Sequence, residues 1–76
     1  MVFDAATSPE QQPRALLFSS EFPPGPGGIG QHAYQLVRHL THMGWKIGVL
    51  SPQPYVPTVE RDAFNRRQPF AVTPLP

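Results

Sequence analysis

Eleven of the 76 residues are proline. Each fixes φ and donates no backbone hydrogen bond, so it is excluded from helix interiors and central strands. Their positions therefore decide where elements can form. Pro9 and Pro13 punctuate the start, Pro23, Pro24 and Pro26 one loop, and Pro52, Pro54 and Pro57 another. Pro69, Pro74 and Pro76 mark the end. The longest uninterrupted stretch, Gly27 to Ser51, has to carry the main elements.

Within that stretch, Ile29, Ala33, Leu36, Val37, Leu40 and Met43 recur at helical spacing. At 100° per residue they fill an arc of roughly 120°, the width of a core-facing stripe. Gln31, Gln35, Arg38 and Thr41 fall outside it. Gly44 stands where a left-handed helix end wants glycine, and Arg38 and His42 suit the negative end of the helix dipole. Upstream, the unalternating apolar run Ala15-Leu16-Leu17-Phe18 reads as the strand Ala15–Ser20, covered on both faces as in a parallel sheet. Downstream, Trp45 to Ser51 reads as a second strand, stopped by Pro52. Trp45 and Phe18 are expected in the core.

Strand, loop, helix and strand, from Ala15 to Ser51, exceed the roughly 30 residues that a βαβ unit needs. The crossover makes the strands parallel. The expected fold class is α/β, a Rossmann-like βαβ unit with parallel strands. Residues 1–14 read as a flexible leader. Thr58 to Gln68 reads as a short helix, with Thr58 as N-cap and Val59, Ala63 and Phe64 facing inward. Pro69 to Val72 begins a third strand. One amphipathic helix covers one face of a parallel sheet, so residues 15–76 read as an incomplete domain, the start of a larger one.

Several function classes drop out. With no cysteine, disulfides, thiolate metal sites and cysteine nucleophiles are excluded. A net charge of +1 argues against a general nucleic-acid binder. No apolar run approaches the ~20 residues of a membrane span, and no secretory signal is apparent. The expected location is the cytoplasm, free or at a membrane surface.

The chemistry resides in the loop Glu21 to Gly30. It leaves the carboxyl end of the first strand, where doubly wound sheets bind ligands. It enters the helix, whose first amides lack internal partners and, with the dipole, attract anions such as phosphate. Gly25-Pro26-Gly27-Gly28-Ile29-Gly30 matches G-x-G-x-x-G between a strand and a helix. A nicotinamide site would want an acidic residue about 20 positions further on, and none occurs between Glu21 and Glu60. A phosphate-binding P-loop is excluded because no Gly-Lys-Ser/Thr follows.

Ser20-Glu21-Phe22-Pro23-Pro24-Gly25-Pro26-Gly27-Gly28-Ile29-Gly30, the helix with Leu36 and Leu40, and Gly44 to Ser51 together resemble the opening of glycosyltransferase family 4. The resemblance implies a GT-B fold, two Rossmann-like domains across a cleft, with this chain as the amino-terminal, acceptor-side portion. It implies retaining sugar transfer from a nucleoside-diphosphate sugar to an acceptor that is a glycan, a lipid or a small molecule. Gly27, Gly28, Ile29 and Gly30 would face the donor diphosphate, and Glu21 and His32 would contact the acceptor. The family's basic pair, its Glu-x7-Glu motif and a later histidine are not among these residues. The partner is thus a carboxyl-terminal domain, and the isolated chain is expected to be catalytically silent, with no catalytic residue, cofactor or metal of its own. Two readings compete. The chain could belong to another nucleotide-binding Rossmann protein such as an NAD-dependent oxidoreductase, or to a non-catalytic interaction protein that folds by itself.

Three histidines, His32, His39 and His42, flank the helix stripe. His32 and His39 stand ~10.5 Å apart along the axis, too far to share a metal, and His39 with His42 lacks a third ligand. Arg61, Arg66 and Arg67 form a small basic group that reads as a solvated helix face.

Overall fold

The computed structural model describes residues 2–6 and 12–76. Its elements are β1 (Val2–Ala6), β2 (Arg14–Phe18), α1 (Gly28–His42), β3 (Lys46–Ser51), α2 (Thr58–Arg67) and β4 (Ala71–Pro74). Among the described residues the strands form one sheet in the order β1-β2-β3-β4. The strands β2, β3 and β4 are parallel, with Leu17 opposite Val49 and Val49 opposite Val72. This is the expected α/β architecture, with three parallel strands and two crossover helices.

The start of the chain departs from the expected loose leader. Val2–Ala6 pairs antiparallel with β2, Val2 opposite Phe18 and Ala6 opposite Arg14. Residues 7–11 of that leader lie outside the described residues. The pairing follows from the open ladder of β2, whose second neighbour would otherwise be water.

Helix α1 forms where the spacing predicts, yet its buried stripe is rotated. Gly30, Ala33 and Val37 are buried, while Ile29 and Met43 are 51% and 62% exposed. Tyr34, outside the expected arc, packs against the core. The rotation is set at Gly30. A Cβ there would lie 3.1–3.2 Å from the backbone of Glu21 and Phe22, so the helix approaches the loop through this residue. The other end is a Schellman motif. Gly44, at φ 96°, donates to the Thr41 carbonyl, and Trp45 donates to the Leu40 carbonyl, both at 3.0 Å. Trp45 and Leu40 both pack against the core, the hydrophobic contact that usually accompanies this ending.

Helix α2 starts one residue earlier in its cap than expected. Pro57 is the N-cap and Thr58 the first helical residue. Val59 is 79% exposed rather than inward, and only Phe64 of the three expected residues packs against the core. Both helices cover the same sheet face, because Tyr34 of α1 meets Phe64 of α2 at 5.6 Å. Successive parallel strands stepping in one direction with same-handed crossovers put both helices there. The core on that face holds Ala15, Leu17, Phe22, Ala33, Val37, Ile47, Val49 and Phe70.

Within this chain the described residues cover one face of β2 and leave the other open. β2 alternates, with Ala15 and Leu17 buried and Leu16 and Phe18 at 42% and 40% exposure. Phe18 therefore lies outside the core, against expectation, and Trp45 is half-buried at its edge.

Candidate functional site

The carboxyl ends of β2 and β3 release two loops that abut. The first, Ser19 to Gly27, is anchored by Phe22, which is 1% exposed and meets Tyr34 and Phe70 edge-on at 5.8 and 6.1 Å. The Pro23–Pro24 peptide is cis. The second, Pro52 to Pro57, locks onto the first. Gln53 is buried and its amide donates to the Pro23 carbonyl at 2.8 Å. The same amide group exchanges two hydrogen bonds with Asn65 of α2, at 2.7 and 3.0 Å. At Gly25 the backbones touch, since a Cβ there would collide with the Pro54 carbonyl oxygen.

This packing sorts the four glycines of the bend by cause. Gly25 and Gly30 are small because backbone passes directly over them. Gly27, the helix N-cap, has φ 137° and ψ 135°, a region only glycine enters readily. A Cβ on it would also collide with the Glu21 carboxylate. Gly28 differs, because a Cβ there would meet nothing within 4 Å. No packing or positive φ in this chain explains glycine at position 28.

The amides opening α1 are the chemical core of the site. The first α-helical bond runs from the Gln31 amide to the Gly27 carbonyl at 3.1 Å. The amides of Gly28, Ile29 and Gly30 thus precede the first helical donor. No side chain caps them, and the first turn holds no acidic residue. Gly28 and Ile29 are exposed, whereas Gly30 is buried. Of the four residues expected to face a diphosphate, Gly28 and Ile29 are open to an incoming group, Gly27 lies against Glu21, and Gly30 is turned into the packing with Phe22.

Glu21 stands beside this end of the dipole. Its carboxylate lies against Gly27, and its main chain is held by Ser19, whose hydroxyl donates to the Glu21 carbonyl at 2.6 Å. A carboxylate near the positive helix end stabilises it, and the same charge opposes a second anion. His32, one turn into α1, is exposed. His39 and His42 lie far along α1 from the bend. Among the described residues no three His, Asp or Glu side chains gather as metal ligands. In the basic group on α2, Arg61 pairs with its neighbour Asp62 at 3.1 Å, and Arg66 and Arg67 are exposed.

Two residues near the site carry no mark in the sequence. Gln53 and Asn65 pair across twelve positions, and nothing in either local pattern announces it. Tyr55, next to Pro54, is 84% exposed at φ 69°. A non-glycine residue in the left-handed region costs about 1–2 kcal/mol, and exposure leaves Tyr55 little burial to offset it. Tyr55→Gly is expected to raise stability by about 1 kcal/mol, read as a shift in the urea midpoint. An unchanged or lowered midpoint would show that the side chain itself holds this turn.

No helix of the described residues is long and apolar enough to cross a membrane. Compared with protein families, curated proteins and solved structures, the chain matches none.

Proposed function

We propose that the chain is the acceptor-side, amino-terminal portion of a retaining glycosyltransferase resembling family 4, and that the Gly28–Ile29 amides receive the donor's diphosphate. The observation that carries this reading is the open, uncapped helix start at Gly28, set at the carboxyl edge of the parallel strands. Preorganised amides aimed at a leaving group that gains negative charge are an electrostatic catalytic device. The loop that presents them is held by Phe22 and Gln53, which fits a site that must keep its geometry. Glu21 and the exposed His32 flank the bend where an acceptor hydroxyl would approach. The remaining machinery belongs to a carboxyl-terminal partner domain, so the work of this chain is binding and orientation rather than bond cleavage.

The NAD-dependent reading rests on the same bend. About 20 residues past the glycines, where it needs a ribose acid, the chain runs through β3, Lys46–Ser51, which holds no acidic residue. The nucleotide-sugar reading is favoured for that reason.

The test is a titration of the chain with UDP, GDP and their sugar conjugates, and with NAD, followed by amide chemical shifts. Millimolar diphosphate binding centred on Gly28 and Ile29 supports the proposal. Tighter binding of NAD than of any nucleoside diphosphate would overturn it. Glu21→Gln sharpens the result, because removing a like charge beside the bend should strengthen UDP binding by roughly three- to ten-fold. The same change should cost about 0.3–1 kcal/mol of stability, as the helix loses a favourable anion. Equal UDP affinity in the two proteins would place the diphosphate elsewhere.

A further inference from the structure

We propose that the cavity between the carboxyl-terminal half of α1 and the turn after α2 binds a small phosphorylated compound by its phosphate group. This site lies at the opposite edge of the sheet from the glycine bend, where β3 and β4 begin, and does not depend on the nucleotide-sugar reading. The cavity is an open-sided groove of about 560 Å³, roomy enough for a small molecule. Gln35, Arg38, His39 and His42 line it from α1, with Gln68 and Pro69 opposite. No carboxylate belongs to this wall.

The donors are already arranged. The Arg38 guanidinium sits 5.4 Å from the centre of the Tyr34 ring, a cation–π contact that fixes its direction. Tyr34 is itself held by its hydroxyl, which donates to the Gln68 side-chain oxygen at 3.2 Å. Among the described residues the ion pair formed is Arg61–Asp62, which leaves Arg38 without an acidic partner there. Thr41 also lines the cavity, and its hydroxyl is buried with no hydrogen-bond partner. His39 and His42 each supply an imidazole N–H in either protonation state.

These groups point to phosphate rather than carboxylate. A guanidinium and two imidazoles offer donors from more directions than two coplanar oxygens can accept. A phosphate ester presents three strong acceptor oxygens and pairs well with arginine. The negative end of the α1 dipole opposes an anion here, so the side chains must supply the attraction, and a full guanidinium charge outweighs the half-charge of the helix end. The space beyond one phosphate, beside the Pro69 ring, accommodates the organic remainder.

The experiment titrates the full isotope-labelled chain with inorganic phosphate and with glycerol 3-phosphate. Saturable amide shifts are expected at Gln35, Arg38, His39, Thr41, His42 and Gln68. Arg38→Gln should weaken binding about ten-fold, the loss of one charge-assisted contact. Should Arg38→Gln fail to fold, the double variant His39→Gln/His42→Gln, both at exposed positions, carries the same expectation. Shifts confined to Gly28–Gly30, or variants that titrate like the parent chain, would overturn the proposal.

Discussion

Phe22→Ala is expected to lower stability by about 3–5 kcal/mol, the usual cost of emptying a buried phenylalanine site. A chain of this length has roughly 4–11 kcal/mol in total, at about 0.05–0.15 kcal/mol per residue, so this one change approaches unfolding. Phe22 belongs to a loop, yet it is among the most buried large side chains, at 1% exposure. Its ring meets Tyr34 of α1 and Phe70 before β4, both near-perpendicular. Its backbone lies under Gly30 at 3.1 Å from where a Cβ would stand. Removal therefore opens a cavity among elements that cannot close on it without moving the helix start. Urea unfolding measures the loss, with Leu17→Ala on β2 as the comparison, expected to cost about 2–5 kcal/mol. A loss under about 1 kcal/mol for Phe22→Ala would show that the loop is not part of the core.

The burial of Phe22 is not legible in the sequence, for a physical reason. Phe22 stands between a serine-rich strand end and two prolines, with no periodic neighbour to show which way it points. Local periodicity located α1 and its glycine ending, because sustained 3.6-residue spacing and a left-handed stop are encoded within single turns. Prolines bounded the strands for the same local reason. Facing was less legible. The apolar run Ala15 to Phe18 reads as two-sided burial, yet which faces are covered depends on where the crossovers lay their helices, and here both lie on one side. The rotation of α1 toward Tyr34 was equally hidden, since it is set by contact between Gly30 and the Glu21–Phe22 backbone, which only the folded chain brings together. The edge pairing of Val2–Ala6 lies in the same class, because an edge strand needs only a neighbour's free ladder and leaves a weak pattern of its own. At the site, the glycine bend was legible as a motif, but its four glycines looked alike. Their separate causes, and the Gln53–Asn65 clasp that steadies the bend, come from packing between loops.

The sharpest test of the bend sets Gly28→Ala against Gly30→Ala. Both positions lie in the first turn of α1, both have helical backbone, and both substitutions add one methyl group. At Gly28 that methyl meets nothing within 4 Å. The unfolded chain loses freedom while the native state loses nothing, so stability should rise by about 0.4–1 kcal/mol. For a chain of this size that corresponds to several degrees in melting temperature, at roughly 4–8 °C per kcal/mol. At Gly30 the methyl would stand 3.1–3.2 Å from three backbone atoms of Glu21 and Phe22. Phe22 is anchored in the core and cannot yield, so the helix start must shift, at about 1–3 kcal/mol. Diphosphate binding should follow a different order. The Gly28 methyl projects into the space an anion needs to reach the first amides, so UDP affinity should fall roughly ten-fold, about one charge-assisted hydrogen bond, while the protein becomes more stable. A general loss of structure cannot lower affinity and raise the melting point together, so that pairing isolates occupancy of the bend from folding. If Gly28→Ala binds UDP as the parent chain does, the open space at this glycine serves some purpose other than admitting a diphosphate, and the proposed transferase role loses the observation it stands on.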